Sequence, residues 1–600
     1  MVESGSVRHR RLPAGPSATG RPASGSGGTT NPLARLRARR PSKGSSHSYS
    51  LLFKDSVIYG GGRALQMFFT ALMLPLFTSL MSASDYGVVG MVVTVTTFLD
   101  IFVTLGFDVA FTRFYFDASD RFHRDKVVTH VFYVDFVYPG VLLGGLIAFM
   151  PQISQLIMGA PGYTLYFDIG VATLFFQNLS DLPFQLMRLE HRPWTFTSFV
   201  IARVAIQVPM TVVFLAVFHW GPAGYLGANL ITAMILNLGA LPFWVRRLRL
   251  LWDWPLMKSM LNFAIPAMFT AVSFYFLKLS DRFFLLHNQG KAAVGLYTVS
   301  NSLAQPLYIV GMAFRMAWPQ WHFAKLNEPE LHKRMVSRSS TYFMAFNAIL
   351  LAMAGMYLPL LMHLLLNQKF WSVGPTTFVL TLSVALYNLY FIFWIGANVA
   401  KKNRMIPFIT LIASGVNVSL NFVLIPRYGI WAAAWTTVIG FGILAVLVYF
   451  VSNKWYPIPY EWRRLIILGC GAALTLGLAW VIGHAAGLSV DEPLGALLVD
   501  TLLITPALLV FPVLFKLTRF FTPKESAQIR HILRRLTGRS GRAAAIPAAA
   551  GAGAAEPDVP ILAREYGPPD RLTEDDLEAE EEEAEVEAEV DTVEGKGATS

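Results

Sequence analysis

The amino-acid sequence predicts an all-α polytopic membrane protein with about fourteen transmembrane helices. The 600-residue chain is 54% hydrophobic, only 14% of its residues are charged, and its mean hydropathy is +0.47. Soluble globular chains carry roughly 25% charged residues, so a large water-soluble enzyme is disfavoured. The single cysteine, Cys470, excludes an intramolecular disulfide, and we expect it to be a small buried packing residue.

Fourteen apolar stretches are each long enough to cross about 30 Å of hydrocarbon, which takes roughly 20 helical residues. The first 50 residues contain no apolar segment, so no secretory signal peptide is predicted. We number the stretches as spans 1 to 14, at residues 53–80, 86–112, 127–150, 164–187, 194–217, 223–245, 258–285, 293–318, 338–362, 371–398, 405–425, 428–451, 464–485 and 495–517.

Positive charge is distributed unevenly over the loops that connect these spans. The loops after even-numbered spans hold twenty Lys or Arg residues, whereas those after odd-numbered spans hold three, Lys291, Lys369 and Arg427. Lys and Arg concentrate on the cytoplasmic side of membrane proteins, so the alternation predicts that both termini are cytoplasmic. A missed or surplus span would invert the alternation downstream, and no inversion occurs.

The two ends of the chain differ in charge from the apolar region and from each other. Residues 1–50 carry nine Lys or Arg and one acid, and residues 551–600 carry three and seventeen. We expect disordered cytoplasmic tails, basic over 1–48 and acidic over 538–600, because neither can bury enough apolar surface to offset chain entropy. For residues 521–537 we predict an amphipathic basic helix that lies on an anionic membrane surface, with a solvated helical extension as the alternative.

Short glycine motifs recur at a constant offset. Gly87 in span 2 and Gly295 in span 8 are 208 residues apart, and so are Gly221 and Gly429, which precede spans 6 and 12. An offset of six spans preserves orientation, so it predicts two six-helix lobes in parallel repeat, residues 49–250 and 251–455, followed by spans 13 and 14 within 456–520. Transporters built from such repeats bind substrate between them and alternate access by rocking one lobe against the other.

Eight short motifs occur along the apolar region: YGGGR at 59–63, LPLFT at 74–78, SDYG at 84–87, LGFD at 105–108, TRFY at 112–115, LSDRF at 279–283, VGLY at 294–297 and LIPRYGI at 424–430. In combination they resemble Wzx-type polysaccharide flippases, which share a superfamily with lipid II flippases and multidrug and toxin extruders. The resemblance spans about residues 50–517 and implies transport of an undecaprenyl-pyrophosphate-linked oligosaccharide from the inner to the outer leaflet of the bacterial cytoplasmic (inner) membrane. It implies surface polysaccharide export (O-antigen, capsule or exopolysaccharide) without covalent chemistry or a cofactor.

Ionisable residues inside the spans form the candidate site. Inserting each charged side chain at the bilayer centre costs about 2.5–3.5 kcal/mol of free energy, so each one is expected to have a function or a partner. We expect a cationic, water-filled cavity between the lobes, where guanidinium groups bind the diphosphate of the substrate and stay charged. The candidate substrate-binding residues are Arg63, Arg203, Lys278, Arg282 and Arg315, and the candidate ion-coupling or pairing residues are Asp100, Asp135 and Asp281.

Each candidate also has a plain structural interpretation. The alternative for Arg63 and Arg203 is a buried ion pair with Asp100 or Asp135. Where these acids are not paired, we expect them to take up a coupling proton or sodium ion. Asp281 and Arg282 are alternatively a pair that anchors the end of span 7, and Arg315 alternatively snorkels to the cytoplasmic edge. The scattered histidines are expected at the membrane interfaces rather than as metal ligands.

Two other functions remain open from the sequence. A multidrug and toxin extrusion-type cation antiporter has the same predicted fold, and a cavity with carboxylates but no arginines suits it better. A membrane sugar polymerase or glycosyltransferase needs a sizeable catalytic loop outside the cytoplasm, and the longest such loop, residues 151–163, has no acid, His or basic residue. We therefore expect no enzyme and no nucleic-acid binding, with membrane lipids as partners and a polymerase or glycosyltransferase complex as a further candidate partner.

Overall fold

A computed structural model describes residues 73–118, 120–249, 251–323, 326, 328–485, 494–523 and 525–526. Arg63, most of span 1, both predicted tails and most of the predicted amphipathic helix over 521–537 lie outside these residues. The described residues from 73 to Phe521 belong to one compact unit. Of the second unit, which begins at Thr522, four residues are described, and there the Glu525 carboxylate accepts a hydrogen bond from the Thr522 backbone N–H at 2.7 Å.

Every predicted span coincides with helix in the described part of the chain. The helices of spans 1 to 6 are Leu74–Leu80 in span 1, Ala83–Thr104 and Phe107–Asp117 in span 2, Arg121–Phe132 and Tyr138–Ile147 in span 3, Thr164–Leu189 in span 4, Pro193–Val212 in span 5, and Gly221–Trp244 in span 6. A short helix, Met150–Met158, lies between spans 3 and 4, and π-helical turns at Tyr133–Val137 and Val213–Val217 lie in spans 3 and 5.

The second half of the molecule continues in the same way. Across both halves of the molecule, ten helices of the described residues are long and apolar enough to cross a membrane by length and composition. One of them, Asn403–Trp455, covers both spans 11 and 12. The all-α polytopic membrane fold is thereby confirmed. The remaining helices are Trp254–Leu279 and Asp281–Gln289 in span 7, Lys291–Phe323 in span 8, Pro329–Leu365 in span 9, Gly374–Val399 in span 10, Ile406–Trp455 in spans 11 and 12, Trp462–Ala485 in span 13, and Leu494–Ile504 and Val510–Leu517 in span 14.

The glycines that precede spans 6 and 12 both have a positive backbone φ angle. Gly221 has φ 53° and Gly429 has φ 58°, both in the left-handed region that side chains disfavour. At Gly429 this conformation separates spans 11 and 12 within one long helical segment. The two glycines at the offset of 208 residues thus share a positive φ.

The glycines near the beginnings of spans 2 and 8 lie where these two helices cross. A Cβ atom added to Gly87 would overlap the backbone carbonyl of Lys291, and one added to Gly295 would overlap the carbonyl of Ala83. Lys291 and Ala83 are themselves 208 residues apart, so the contact is reciprocal, as in an interface with two-fold symmetry. Small residues permit such close approach of two helices in a membrane.

Spans 2 and 7 also join the two predicted lobes. The buried Tyr275 hydroxyl in span 7 donates a hydrogen bond to the Thr94 carbonyl in span 2 at 3.0 Å. Span 2 breaks at Leu105 and Gly106, with φ 48° and 74°. A Cβ at Gly106 would lie 2.7 Å from the Ala264 carbonyl oxygen in span 7, so the break brings the two backbones together.

The linker between spans 6 and 7 is held against the beginning of span 3. Lys126 Nζ donates to Asp253 Oδ2 at 2.7 Å, and His130 Nε2 lies 3.0 Å from the Asp253 backbone nitrogen. Asp253 Oδ1 also accepts from the Leu256 backbone N–H at 3.1 Å, which caps the helix of span 7. The hydrogen bond from Lys126 is the largest influence that lowers the pKa of Asp253 below its ordinary value.

Spans 13 and 14 pack against span 9. Gly355 in span 9 leaves room for Leu476 of span 13 and for Phe378 of span 10, whose ring would lie 2.9 Å from a Cβ at this position. Ala352, Ala472 and Phe511 form a small buried cluster of the same helices. The expectation that Cys470 is buried is wrong, because this side of span 13 faces outward and Cys470 is exposed.

Candidate functional site

Lys278 and Arg315 converge on one aromatic ring from two different spans. Lys278 Nζ in span 7 and the Arg315 guanidinium carbon in span 8 each lie 4.9 Å from the ring centroid of Tyr308. Tyr387 of span 10 stacks on Tyr308 with centroids 5.5 Å apart and lies 5.0 Å from Arg315. We call Lys278, Tyr308, Arg315 and Tyr387 the aromatic–cation cluster. Cations over ring faces gain about 0.5–2 kcal/mol each, more when they are desolvated.

A buried amide network fixes the direction of Arg315. Its Nη1 donates to Asn388 Oδ1 at 3.2 Å, and Asn388 Nδ2 in turn donates to Asn347 Oδ1 at 2.7 Å. Asn388 and Asn347 are fully buried, and Gly311, one turn before Arg315, gives the Asn388 side chain its space. The guanidinium therefore lies between spans 8 and 10.

Neither cation of the aromatic–cation cluster forms an ion pair with a carboxylate of the described residues. Lys278 is exposed and Arg315 is half-buried, so both are accessible although they belong to membrane-spanning helices. Lys278 also lies within electrostatic range of Arg282 and Arg315, which repel it. Cations held together in this way favour an anionic ligand, because the ligand removes both the repulsion and the lack of a counterion.

Arg282 and Asp281 lie side by side in a buried polar cluster. Arg282 Nη1 is 3.4 Å from Asp281 Oδ1, and the two residues are 5% and 2% exposed. The Tyr297 hydroxyl of span 8 donates to Asp281 Oδ2, and Thr437 Oγ1 of span 12 lies 3.5 Å from the same oxygen. The pair therefore links spans 7, 8 and 12, and Asn417 and Asn421 of span 11 continue the network through Ser280.

The acids Asp100 and Asp135 lie in a second polar cluster, which spans 2, 3 and 4 share. Asp100 Oδ1 accepts a hydrogen bond from Asn178 Nδ2 at 3.1 Å. Asp135, which is 6% exposed, has no hydrogen bond or ion pair to another described residue and lies within electrostatic range of Asp100, Asp108 and Asp181. We call these four residues the acidic cluster.

The backbone around Asp135 is also irregular. Asp135 occupies the π-helical turn Tyr133–Val137. Pro139, four residues later, has no N–H to donate to the Asp135 carbonyl, and the wider turn accommodates the missing bond. Single π-helical turns inside α-helices occur frequently at functional sites.

Arg203 is not among the residues that define these clusters. It is half-buried in the helix Pro193–Val212 of span 5 and lies within electrostatic range of Tyr225 in span 6. The structure thus brings Lys278 and Arg315 together, pairs Arg282 with Asp281, and gathers Asp100 with Asp135, but it does not place these residues in one group. Within the described residues no set of three or more His, Cys, Asp or Glu has the geometry to hold a metal ion.

Sequence reasoning missed the residues that complete both clusters. Tyr308 precedes Arg315 by seven residues on one helix, so the two share a helix face, whereas the break at Leu105 and Gly106 puts Asp100 and Asp108 on two separate helices. That spacing was a usable signal for partners on the same span. Tyr387, Asn388 and Asp181 come from other spans, and no spacing in the sequence links them to the predicted residues.

Fold and site define a class: an all-α polytopic membrane protein with charged side chains held between its helices. The lipid II flippase MurJ in an inward closed conformation has this fold, with a TM-score of 0.60, 14% identity, and coverage of 78% of this chain and 100% of that chain. A MATE protein in complex with MaL6 has a TM-score of 0.52 at 13% identity, covering 70% of this chain and 96% of its own. An outward-facing multidrug resistance MATE family transporter of the MOP superfamily gives 0.51 at 13% identity, with the same coverage.

The sequence itself matches a family. Residues 76–317 match the profile of a family described as "Polysaccharide biosynthesis protein". This match confirms the predicted resemblance, and it includes spans 2 to 7 and most of span 8. No curated protein matches the chain.

Proposed function

We propose that this chain transports a lipid-linked oligosaccharide across a bacterial cytoplasmic membrane by alternating access, with both termini in the cytoplasm. The observation that carries the proposal is the aromatic–cation cluster: Lys278 and Arg315 share the ring of Tyr308 and lack a carboxylate partner in the described part of the chain. The family match supports a role in polysaccharide biosynthesis, and the fold supports transport without covalent chemistry.

The chemistry of the cluster suits the proposed substrate. Arg315 offers a planar fork of donors to the oxygens of a diphosphate. Lys278 adds a compact charge that pairs with a phosphate oxygen in any orientation. The faces of Tyr308 and Tyr387 present apolar surface on which a sugar ring can lie while its hydroxyls stay hydrated. Residues 49–250 and 251–455 act in the proposal as the two rocking lobes, with Arg63 and Arg203 as further cations of the pathway.

The proposal also gives the acids and the membrane a role. Asp135 and Asp100 take up a coupling proton or sodium ion in the lobe opposite the aromatic–cation cluster, because an unpaired carboxylate in a membrane is costly until it gains a positive charge. Asp281 serves either the same purpose or the structural pairing with Arg282. A polymerase or a glycosyltransferase complex is the proposed partner that consumes or supplies the lipid-linked glycan.

Charge-removing variants test the proposed site. Arg315→Ala and Lys278→Ala are expected to reduce delivery of surface polysaccharide at least about tenfold, since each removes a charge-assisted contact of roughly 1.5–3 kcal/mol. Arg203→Ala and Arg63→Ala are expected to act in the same direction. Arg404→Ala, which removes a cation from the turn before span 11, is the matched control. Normal delivery by Arg315→Ala and Lys278→Ala at equal membrane levels would refute the assignment of the cluster to the substrate.

The acidic cluster favours a second candidate, a cation antiporter of the multidrug and toxin extrusion type. Asp100, Asp108, Asp135 and Asp181 provide carboxylates for an organic cation in one lobe. Resistance of cells to lipophilic cations separates the two functions. An antiporter loses resistance in Asp135→Asn and keeps it in Arg315→Ala, whereas a glycan transporter confers no such resistance.

A further inference from the structure

Spans 13 and 14 follow the two predicted six-span lobes. A cavity lies between these two spans and span 9, beside the residues through which they pack. Its volume is about 390 Å³, within the range of small-molecule sites. Its walls are mainly apolar, from Met356, Pro359, Leu476, Leu497 and Ile504. The proposed transport function uses none of these residues.

One carboxylate in this cavity lacks a partner. Asp500 of span 14 lines the cavity, is 9% exposed, and has an oxygen, Oδ2, that is buried without a hydrogen bond among the described residues. Asp500 lies six residues after the first residue of its helix, Leu494, which is about 9 Å along the helix axis. An isolated carboxylate at this depth is unfavourable unless a cation or a hydrogen-bond donor reaches it.

An aromatic pair marks the open end of the cavity. Trp480 and His484 of span 13 line it and stack with ring centroids 5.4 Å apart and planes 5° apart. Both are exposed, as are the neighbouring apolar residues Leu478 and Val481, so the cavity opens toward the surface that faces lipid. Trp and His at such a position present an apolar body to the acyl chains and polar nitrogens to the headgroups.

We propose that this cavity binds an amine-bearing phospholipid, with its ammonium group on the Asp500 carboxylate and its phosphate near the Trp480–His484 pair. The apolar walls then take the upper part of an acyl chain. Asp500 and His484 are the ionisable side chains that line the cavity, so an ammonium and a phosphate each meet a group of suitable chemistry. A soluble amine lacks the acyl chain that the apolar walls would bury, and a single carboxylate is too few ligands for a metal ion.

Retention of defined lipids by the purified full-length chain tests the proposal. Native mass spectrometry compares dioleoyl phosphatidylethanolamine with dioleoyl phosphatidylcholine, which has the same net charge but no N–H donor, and with the anionic dioleoyl phosphatidylglycerol. We expect one phosphatidylethanolamine per chain, retained at least about tenfold better than phosphatidylcholine, as one charge-assisted hydrogen bond provides. Equal retention of these two lipids, or preference for phosphatidylglycerol, would overturn the proposal.

Two amide variants locate the effect. Asp500→Asn keeps the shape and removes a charge that has no partner, so it is expected to fold and to lose the preference for phosphatidylethanolamine. Asp168→Asn is the matched control, because Asp168 also has a buried unpartnered oxygen but lies in span 4, away from this cavity. Persistence of the preference in Asp500→Asn would place the lipid elsewhere and contradict the assignment. Lipid retention is measured without transport, so it succeeds or fails independently of the proposed function.

Discussion

The crossing of spans 2 and 8 permits a quantitative test of alternating access. Substitution of Gly87 or Gly295 by Ala puts a methyl group onto a backbone carbonyl of the other helix. Because backbone cannot move aside as a side chain does, the two helices must separate at their N-terminal ends, which the predicted orientation places on the outer side. Overpacking of this kind costs about 1–3 kcal/mol, which corresponds to a shift of roughly 5- to 150-fold toward states in which the crossing is open.

A single reporter cysteine measures this shift. Thr298 of span 8 is half-buried at the crossing, where its Oγ1 would lie 2.5 Å from a Cβ on Gly90. In a Cys470→Ser background, Thr298→Cys is expected to react about 5- to 150-fold faster with an impermeant maleimide added outside when Gly87→Ala is present. The reaction must be followed below the melting transition of each variant, so that opening is distinguished from unfolding.

Gly477→Ala provides the matched control for this experiment. Gly477 is also a helical glycine of a span, but a Cβ there meets nothing within 4 Å. Its substitution is expected to leave the labelling rate unchanged and to raise stability by up to about 1 kcal/mol through helix propensity. An unchanged labelling rate in both Gly87→Ala and Gly295→Ala would show that the crossing does not control access, and would refute the reasoning.

Three further predictions concern other parts of the molecule. Lys126 lowers the pKa of Asp253. The stabilisation from this pair is therefore complete above the ordinary Asp pKa of about 3.9 and is lost as the pH falls through the lowered pKa. Asp253→Asn should remove that part of the pH dependence of the melting temperature. Arg315→Lys keeps the charge but not the planar fork, and should lower polysaccharide delivery less than Arg315→Ala; equal loss in both would indicate a structural role. Gly429→Ala should cost about 1–3 kcal/mol of unfolding free energy in denaturant titrations, because its φ of 58° is disfavoured for alanine, and a neutral result would contradict the strain argument.

The helical architecture was predictable because it depends on quantities that a sequence contains. The length of an apolar stretch sets whether it spans, and the alternation of Lys and Arg in the loops checks the count. The glycines at the offset of 208 residues were also visible in the sequence, and the structure gives Gly221 and Gly429 a positive φ and places Gly87 and Gly295 at a close helix crossing. The burial of Cys470 was predicted wrongly because an apolar stretch does not indicate which side of a helix faces lipid.

The grouping of charged residues was not predictable in the same way. Lys278 and Arg282 are four residues apart on span 7, so their proximity follows from the spacing, whereas the approach of Arg315 to Lys278 depends on the rotation and tilt of spans 7 and 8, which helix packing determines. The π-helical turn at Asp135 and the amide support from Asn388 likewise arise from packing between spans. The sequence therefore identified the costly charges individually, and the structure separated them into an aromatic–cation cluster, an acidic cluster and a buried pair.

The reciprocal contact between spans 2 and 8 has a consequence for combined substitutions. Gly87 and Gly295 touch the partner helix within the same crossing, so a methyl group at either position forces the same separation. Once one methyl group has separated the two helices, the resulting gap already accommodates part of the second methyl group. The effects of Gly87→Ala and Gly295→Ala should therefore be less than additive in the double variant, unlike two independent sites, whose effects usually sum to within about 0.3–0.5 kcal/mol. Because the two glycines lie in one chain, each can be substituted alone, which two identical subunits encoded by one gene do not permit.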